Sequence, residues 1–70
     1  MIAWFVIGRD GHVAENHVDA WGPFDNEADA RAYAVDVSMD NGWEEVRAVL
    51  CDEEEVIKKT TQGKITSPYK

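Results

Sequence analysis

Two histidines, one cysteine and fourteen carboxylates are the groups in this chain that could do chemistry. His12 and His17 stand five positions apart and Cys51 lies far along the chain, without a Cys-x-x-Cys or His-x-x-x-His partner, so zinc-ligand spacing is absent. Cys51 and a histidine could form a nucleophile and base only with a third orienting group and an oxyanion loop. Neither is recognisable, and a lone cysteine in an apolar run packs as a small hydrophobe. The carboxylates are spread over polar stretches rather than isolated among apolar residues, which is what would raise a pKa for acid/base work. Gly8, Gly11, Gly22, Gly42 and Gly63 sit at turns and breaks without the Lys-Ser/Thr that completes a phosphate loop. No catalytic, metal or cofactor set is expected, and the chain reads as a non-enzymatic protein.

Charge is the stronger signal. All fourteen acidic residues lie between Asp10 and Glu55, whereas residues 1–57 hold only Arg9, Arg31 and Arg47, a net of −11. From Lys58 onward there are four lysines and no acid, which brings the whole chain to −7. An acidic body disfavours nucleic acid, whose binding is driven by basic residues meeting phosphates; only the Lys58–Lys70 tail could make weak contacts of that kind. Ser67-Pro68-Tyr69-Lys70 is one copy of a minor-groove-type motif, and the body would repel the same duplex. The acidity favours a basic protein surface as partner instead.

The elements that must position these groups fit one small domain, since roughly 100 to 200 residues make a domain and this chain has seventy. There is a single leucine, so Trp4, Phe5, Trp21, Phe24 and Trp43 must supply much of the core. With one cysteine no internal disulfide can form, which suits a reducing, cytoplasmic setting. Residues 2–7 are apolar, but no basic residue precedes them and Arg9-Asp10 ends the run, so neither a signal peptide nor a membrane span is expected.

Ile2–Ile7 reads as a strand, and Asp10-Gly11 as a two-residue hairpin turn. That turn pairs Ile7 with Ala14, Phe5 with Asn16 and Ala3 with Val18 on one face. On the other it pairs Val6 with Glu15, Trp4 with His17 and Ile2 with Asp19. Asp25 or Asn26 caps a helix running to about Asp40, where Asn41-Gly42 stops it. Ala28, Ala32, Val35 and Met39 share a stripe assigned to the sheet; Asp29, Asp36 and Asp40 form an acidic seam; Ala30, Tyr33, Ala34 and Val37 make a weaker second strip. Trp43–Cys51 reads as a third strand, with Val46, Ala48 and Leu50 on one face and Arg47, Val49 and Cys51 on the other. The expectation is an α+β fold, a small β-β-α-β unit with strand order 2-1-3 and one helix on one face. It forms a single domain over residues 1–57. Residues 55–60 could add a short fourth strand, and 58–70 form a basic tail.

One helix covers one face of a strand that is apolar on both, which leaves Ile2, Trp4 and Val6, with Val49 beside them, under-covered within a rim of Glu15, His17, Asp19 and Arg47. An apolar centre with a charged rim is how a protein-binding patch is composed. The acidic seam and Glu53, Glu54 and Glu55 extend the candidate surface. Alternatively, residues 55–70 could fold across this face with Val56, Ile57, Ile65 and Tyr69 as cover.

Gly22-Pro23-Phe24 followed by Glu27-Ala28-Asp29-Ala30-Arg31-Ala32 resembles a pattern in many short phage and mobile-element proteins, in which a hairpin runs into an Ala-rich helix and a last strand. The likeness covers about residues 2–51, and it implies a protein that acts by binding a host enzyme. Two functions follow as expectations. The first is an acidic interaction module, an inhibitor or modulator occupying a basic, nucleic-acid-binding site on a host protein. The second is a homodimer module pairing through the exposed sheet face or the edge of strand 2.

Overall fold

A computed structural model describes residues 2–11, 17–39 and 42–68. The chain forms β1 (Ile2–Asp10), β2 (His17–Phe24), α1 (Glu27–Ser38), β3 (Trp43–Asp52) and α2 (Glu53–Lys59). The three strands make one sheet of order β2-β1-β3, with both outer strands antiparallel to β1. This is the α+β fold and strand order expected, with a second helix added.

β1 is central because it is apolar on both faces, and each face has its own core. Val6, fully buried, meets Trp21, Phe24, Ala30 and Val37 on the α1 side, with Trp4, Tyr33 and Trp43 packed around them. Phe5 and Ile7 meet Ala20 and Val56 on the α2 side, with Ala3, Val18, Val49, Cys51 and Ile65 alongside. The division of β3 matches the alternation read from its sequence: Val46 and Ala48 go to α1, Val49 and Cys51 to α2.

The hairpin differs from the two-residue turn. Asp10 pairs with His17, Arg9 with Val18 and Ile7 with Ala20, so residues 11–16 connect the strands. Glu15, with the pairings expected for residues 12–16, lies outside the described residues. The expected register would have set Glu15, His17 and Asp19 against Val6, Trp4 and Ile2. The observed one sets Ala20, Trp21 and Phe24 against the central strand. Burial of these apolar residues outweighs the local preference of Asp-Gly for a tight turn.

The faces of α1 are also exchanged. Ala30 and Val37 are buried while Val35 and Met39 are exposed, so the strip that packs on the sheet is Ala30, Tyr33, Ala34 and Val37. Aromatic rings decide this. Tyr33 lies 6.1 Å from Trp21 and 5.3 Å from Phe24, and Trp21 meets Trp43 edge-on at 5.0 Å. Only the Tyr33 strip joins that cluster. Asn26 caps the helix by accepting the Asp29 N–H at 2.9 Å, and the helix ends at Ser38 rather than near Asp40. Gly42 has φ 101 but lies three positions past the Met39 cap, outside the place of a left-handed helix stop.

Residues 53–59, read partly as a fourth strand, are helical. Asp52 caps α2 by accepting the Glu54 N–H at 3.0 Å, and Glu53–Glu55 at the start with Lys58 and Lys59 at the end match the helix dipole. The domain boundary expected after residue 57 therefore falls inside α2. Beyond it, Thr61 N–H donates to Val18 O and Thr66 N–H to Ala20 O, both at 2.9 Å, and the Gly22 N–H donates to Thr66 O at 3.2 Å. Thr66 makes an isolated parallel bridge to Trp21, and residues 61–66 thus occupy the outer edge of β2.

Each outer strand carries one irregularity. The β1–β2 register shifts between Trp4 and Val6, where β2 contains Gly22 and a cis Gly22-Pro23 bond. The β1–β3 register shifts between Ile7 and Arg9, where β3 contains Glu45 at φ 54. Gly22 is buried at φ 147, and a Cβ there would lie 2.7 Å from Phe5 Cδ1 and 3.2 Å from Trp4 O.

Gly22→Ala should cost at least about 2 kcal/mol, combining a disfavoured φ with a clash against a buried ring. A denaturant midpoint equal to that of the wild type would count against this packing. A second expectation concerns acid. Accepting the Glu54 N–H holds the Asp52 carboxyl below the usual carboxylate range. The cap's contribution is therefore complete above the unfolded pKa and is lost as pH falls through the lower folded value. Amide protection across α2 should fall below about pH 4, and should fall less in Asp52→Asn, whose amide oxygen remains an acceptor in acid. Equal pH profiles for the two proteins would remove Asp52 as the cause.

Candidate interaction surfaces

The expected Trp-centred patch divides when placed on the fold. Val6 is fully buried beneath α1 and is unavailable to a partner. Trp4 is half-buried against the same core, opposite Phe24 on one side and Leu50 on the other. Ile2, 67% exposed, and Leu50, 58% exposed, share its face of the sheet. What survives is a corner of Ile2, Trp4 and Leu50 beside the start of α1. Leu50 was missed as a surface residue, since alternation alone places it in the core with Val46 and Ala48.

The rim does not surround that corner: Arg47 and Val49 pair with Ile7 and Phe5 and belong to the α2 side of the sheet. His17 Nε2 lies 3.1 Å from Asp19 Oδ1, but the pair sits opposite Asp10 and Gly8, toward the other end of β1 from Trp4. The opposite sheet face, which one helix would have left open, is closed by α2, with Ile65 packed on the same core. The edge of β2, a candidate for self-pairing, is occupied by residues 61–66.

The acidic residues separate across the sheet. Asp29 and Asp36 are exposed on α1; Glu53, Glu54 and Glu55 are exposed in the first turn of α2, on the other side. Asp40 lies outside the described residues. Asp29 is steadied by Asn26 Nδ2 at 3.3 Å, and Arg31 reaches Glu27 at 3.3 Å on the other flank of the helix.

Turning α1 toward its aromatic partners frees the stripe first assigned to the sheet. Ala28, Ala32, Val35 and Met39 recur at helical spacing on the side away from Ala30 and Val37, and all four are exposed, Val35 by 57% and Met39 by 77%. Asp29 and Asp36 run along one flank. This outward strip is the longest apolar feature that α1 offers to solvent, and its residues were legible in the sequence with the wrong destination.

Among the described residues no three His, Cys, Asp or Glu side chains gather as a metal site, and no helix is long and apolar enough to cross a membrane. Cys51 is a free thiol, half-buried against the Phe5 core. No family model matches the chain, and no curated protein or solved structure matches it either.

The packing of Trp4 separates core from surface. Trp4→Ala should lower stability by about 2–3 kcal/mol through lost contact with the Val6 core, whereas Ile2→Ala should change it by less than about 0.5 kcal/mol. Urea midpoints of the two variants check this, and a Trp4→Ala protein as stable as the wild type would overturn the placement of its ring.

Proposed function

We propose that this chain is a non-enzymatic interaction module that docks a protein of basic surface through the outward face of α1. The observation that carries this reading is the exposed strip Ala28, Ala32, Val35 and Met39 lying beside Asp29 and Asp36. Small alanines at one end allow close approach of a partner, and the two larger side chains at the other supply apolar area. The flanking carboxylates select for Lys and Arg around the partner's own apolar centre. The net of −11 over residues 1–57 speeds the encounter with such a surface. Occupying a basic site, of the kind that otherwise holds nucleic acid, would make the module an inhibitor or modulator of its host partner.

Self-pairing is the weaker reading. Antiparallel association of two α1 helices by a twofold axis sets like flank against like flank, so Asp29 and Asp36 would face their own copies. Like charges so placed oppose association.

Binding to the cognate partner, followed by surface plasmon resonance, should weaken as salt rises. Asp29→Lys/Asp36→Lys should slow association by about tenfold, and Val35→Ser/Met39→Ser should raise Kd by about tenfold or more with the fold intact. Unchanged affinity across salt and in both variants would sink the proposal. Sedimentation is expected to show a monomer. A dimer abolished by Val35→Ser/Met39→Ser would favour self-pairing, and tight duplex binding by the full chain would reverse the ranking of protein over nucleic acid.

A further inference from the structure

On the sheet face away from α1, a cleft of about 200 Å³ is lined by Ile7, Gly8, Arg9, Val18, Glu45, Arg47 and Lys59. Its charge is opposite to that of the chain. Of six basic residues among those described, three line this one cleft, with Glu45 the single acid, in a protein of net charge −7. They arrive from three elements, Arg9 on β1, Arg47 on β3 and Lys59 at the end of α2, so their meeting is a product of the fold and not of a local run.

The three cations are differently engaged. Arg9 is held by Glu44 at 2.6 Å and by Glu45 at 3.5 Å, which uses the one acid of the lining. Arg47 gives one N–H to the Glu45 backbone carbonyl at 3.2 Å, an interaction that orients the guanidinium without neutralising it. Lys59 has no ion pair among the described residues, while its neighbour Lys58 takes Glu55 at 3.6 Å. Beneath them Ile7 and Val18 give an apolar floor. The register shift between Ile7 and Arg9, with Glu45 at φ 54, lies at the cleft's β3 wall, and bulges of this kind re-aim side chains beside binding sites.

We propose that this cleft binds a small organic monoanion, a carboxylate carried on a single ring or a short branched chain. The carboxylate lies between Arg47 and Lys59, and its apolar body rests on Val18 and Ile7. Size sets the class: a cavity of about 150 Å³ accommodates benzene, whereas sites for larger ligands run from about 300 Å³ upward. The site is independent of the α1 strip, which lies across the sheet, so neither proposal depends on the other.

The test is an amide NMR titration of the full chain at fixed ionic strength with three probes. Benzoate carries both charge and ring, benzamide the ring alone, and inorganic phosphate the charge alone. Benzoate should give saturable shifts at Gly8, Val18, Arg47 and Lys59 with Kd on the order of 1 mM, leaving the α1 amides unmoved. Benzamide and phosphate should each bind at least about fivefold more weakly, since each lacks one half of the recognition. Lys59→Gln, and Arg47→Gln/Lys59→Gln, change exposed side chains and should keep the wild-type spectrum while weakening benzoate about tenfold or more. Equal binding of benzamide would reduce the site to an apolar dimple, and equal binding of phosphate to a charge cluster. Either result, wild-type affinity in the folded glutamine variants, or no saturable shift up to about 50 mM would overturn the proposal.

Discussion

A central strand that is apolar on both sides is the constraint from which the rest of the architecture follows. Val6 points one way, Phe5 and Ile7 the other, and all three are at most 3% exposed. A sheet built around such a strand cannot leave a face to solvent, so a chain of this size must find two covers. α1 supplies the first with an aromatic cluster and α2 the second with Val56. Each cover is small. The cost of leaving either off would be an exposed Phe or Val in a protein with little core to spare.

The same constraint explains what could be read from the sequence. Strand order, the position of β1, the start of α1 at Asn26 and the alternation of β3 all follow from patterns that local propensity and burial support together. The register of β2 does not, because Asp10-Gly11 is a strong turn signal on its own and only the partners of β1 reveal that a longer connection buries more. α1 was ambiguous for a related reason. Two apolar strips lie on opposite sides of it, and their membership is plain, but the choice between them belongs to Tyr33 and the rings of Trp21, Phe24 and Trp43, a tertiary matter. In α2 the adjacent β-branched Val56 and Ile57 suggest a strand. The order of charges, acids first and lysines last with Asp52 before them, is the helical signal that outweighs them.

Of the candidate surface, the exposure of Asp29 and Asp36 along α1 was legible and the Trp4 patch was not. The expected register set Glu15, His17 and Asp19 beside Val6, Trp4 and Ile2 and so marked that face as the open one, whereas the observed register sets Trp21 and Phe24 there, beneath α1. The cleft near Arg47 has no linear signature at all, since its residues come from β1, β2, β3 and α2.

Covering β1 from two directions also divides the sheet's protection between two parts of the chain. The strands and α1 are complete by residue 52, and the Val6 core can close with them. Phe5 and Ile7 take their cover from beyond β3, from Val56 with Ile65 beside it. Without the residues after β3 the sheet would carry an open apolar face on its central strand and an unprotected β2 edge, and both are closed by the same short segment. That segment is at once a lid on the second core and a guard on the sheet edge, sealing two aggregation-prone surfaces together.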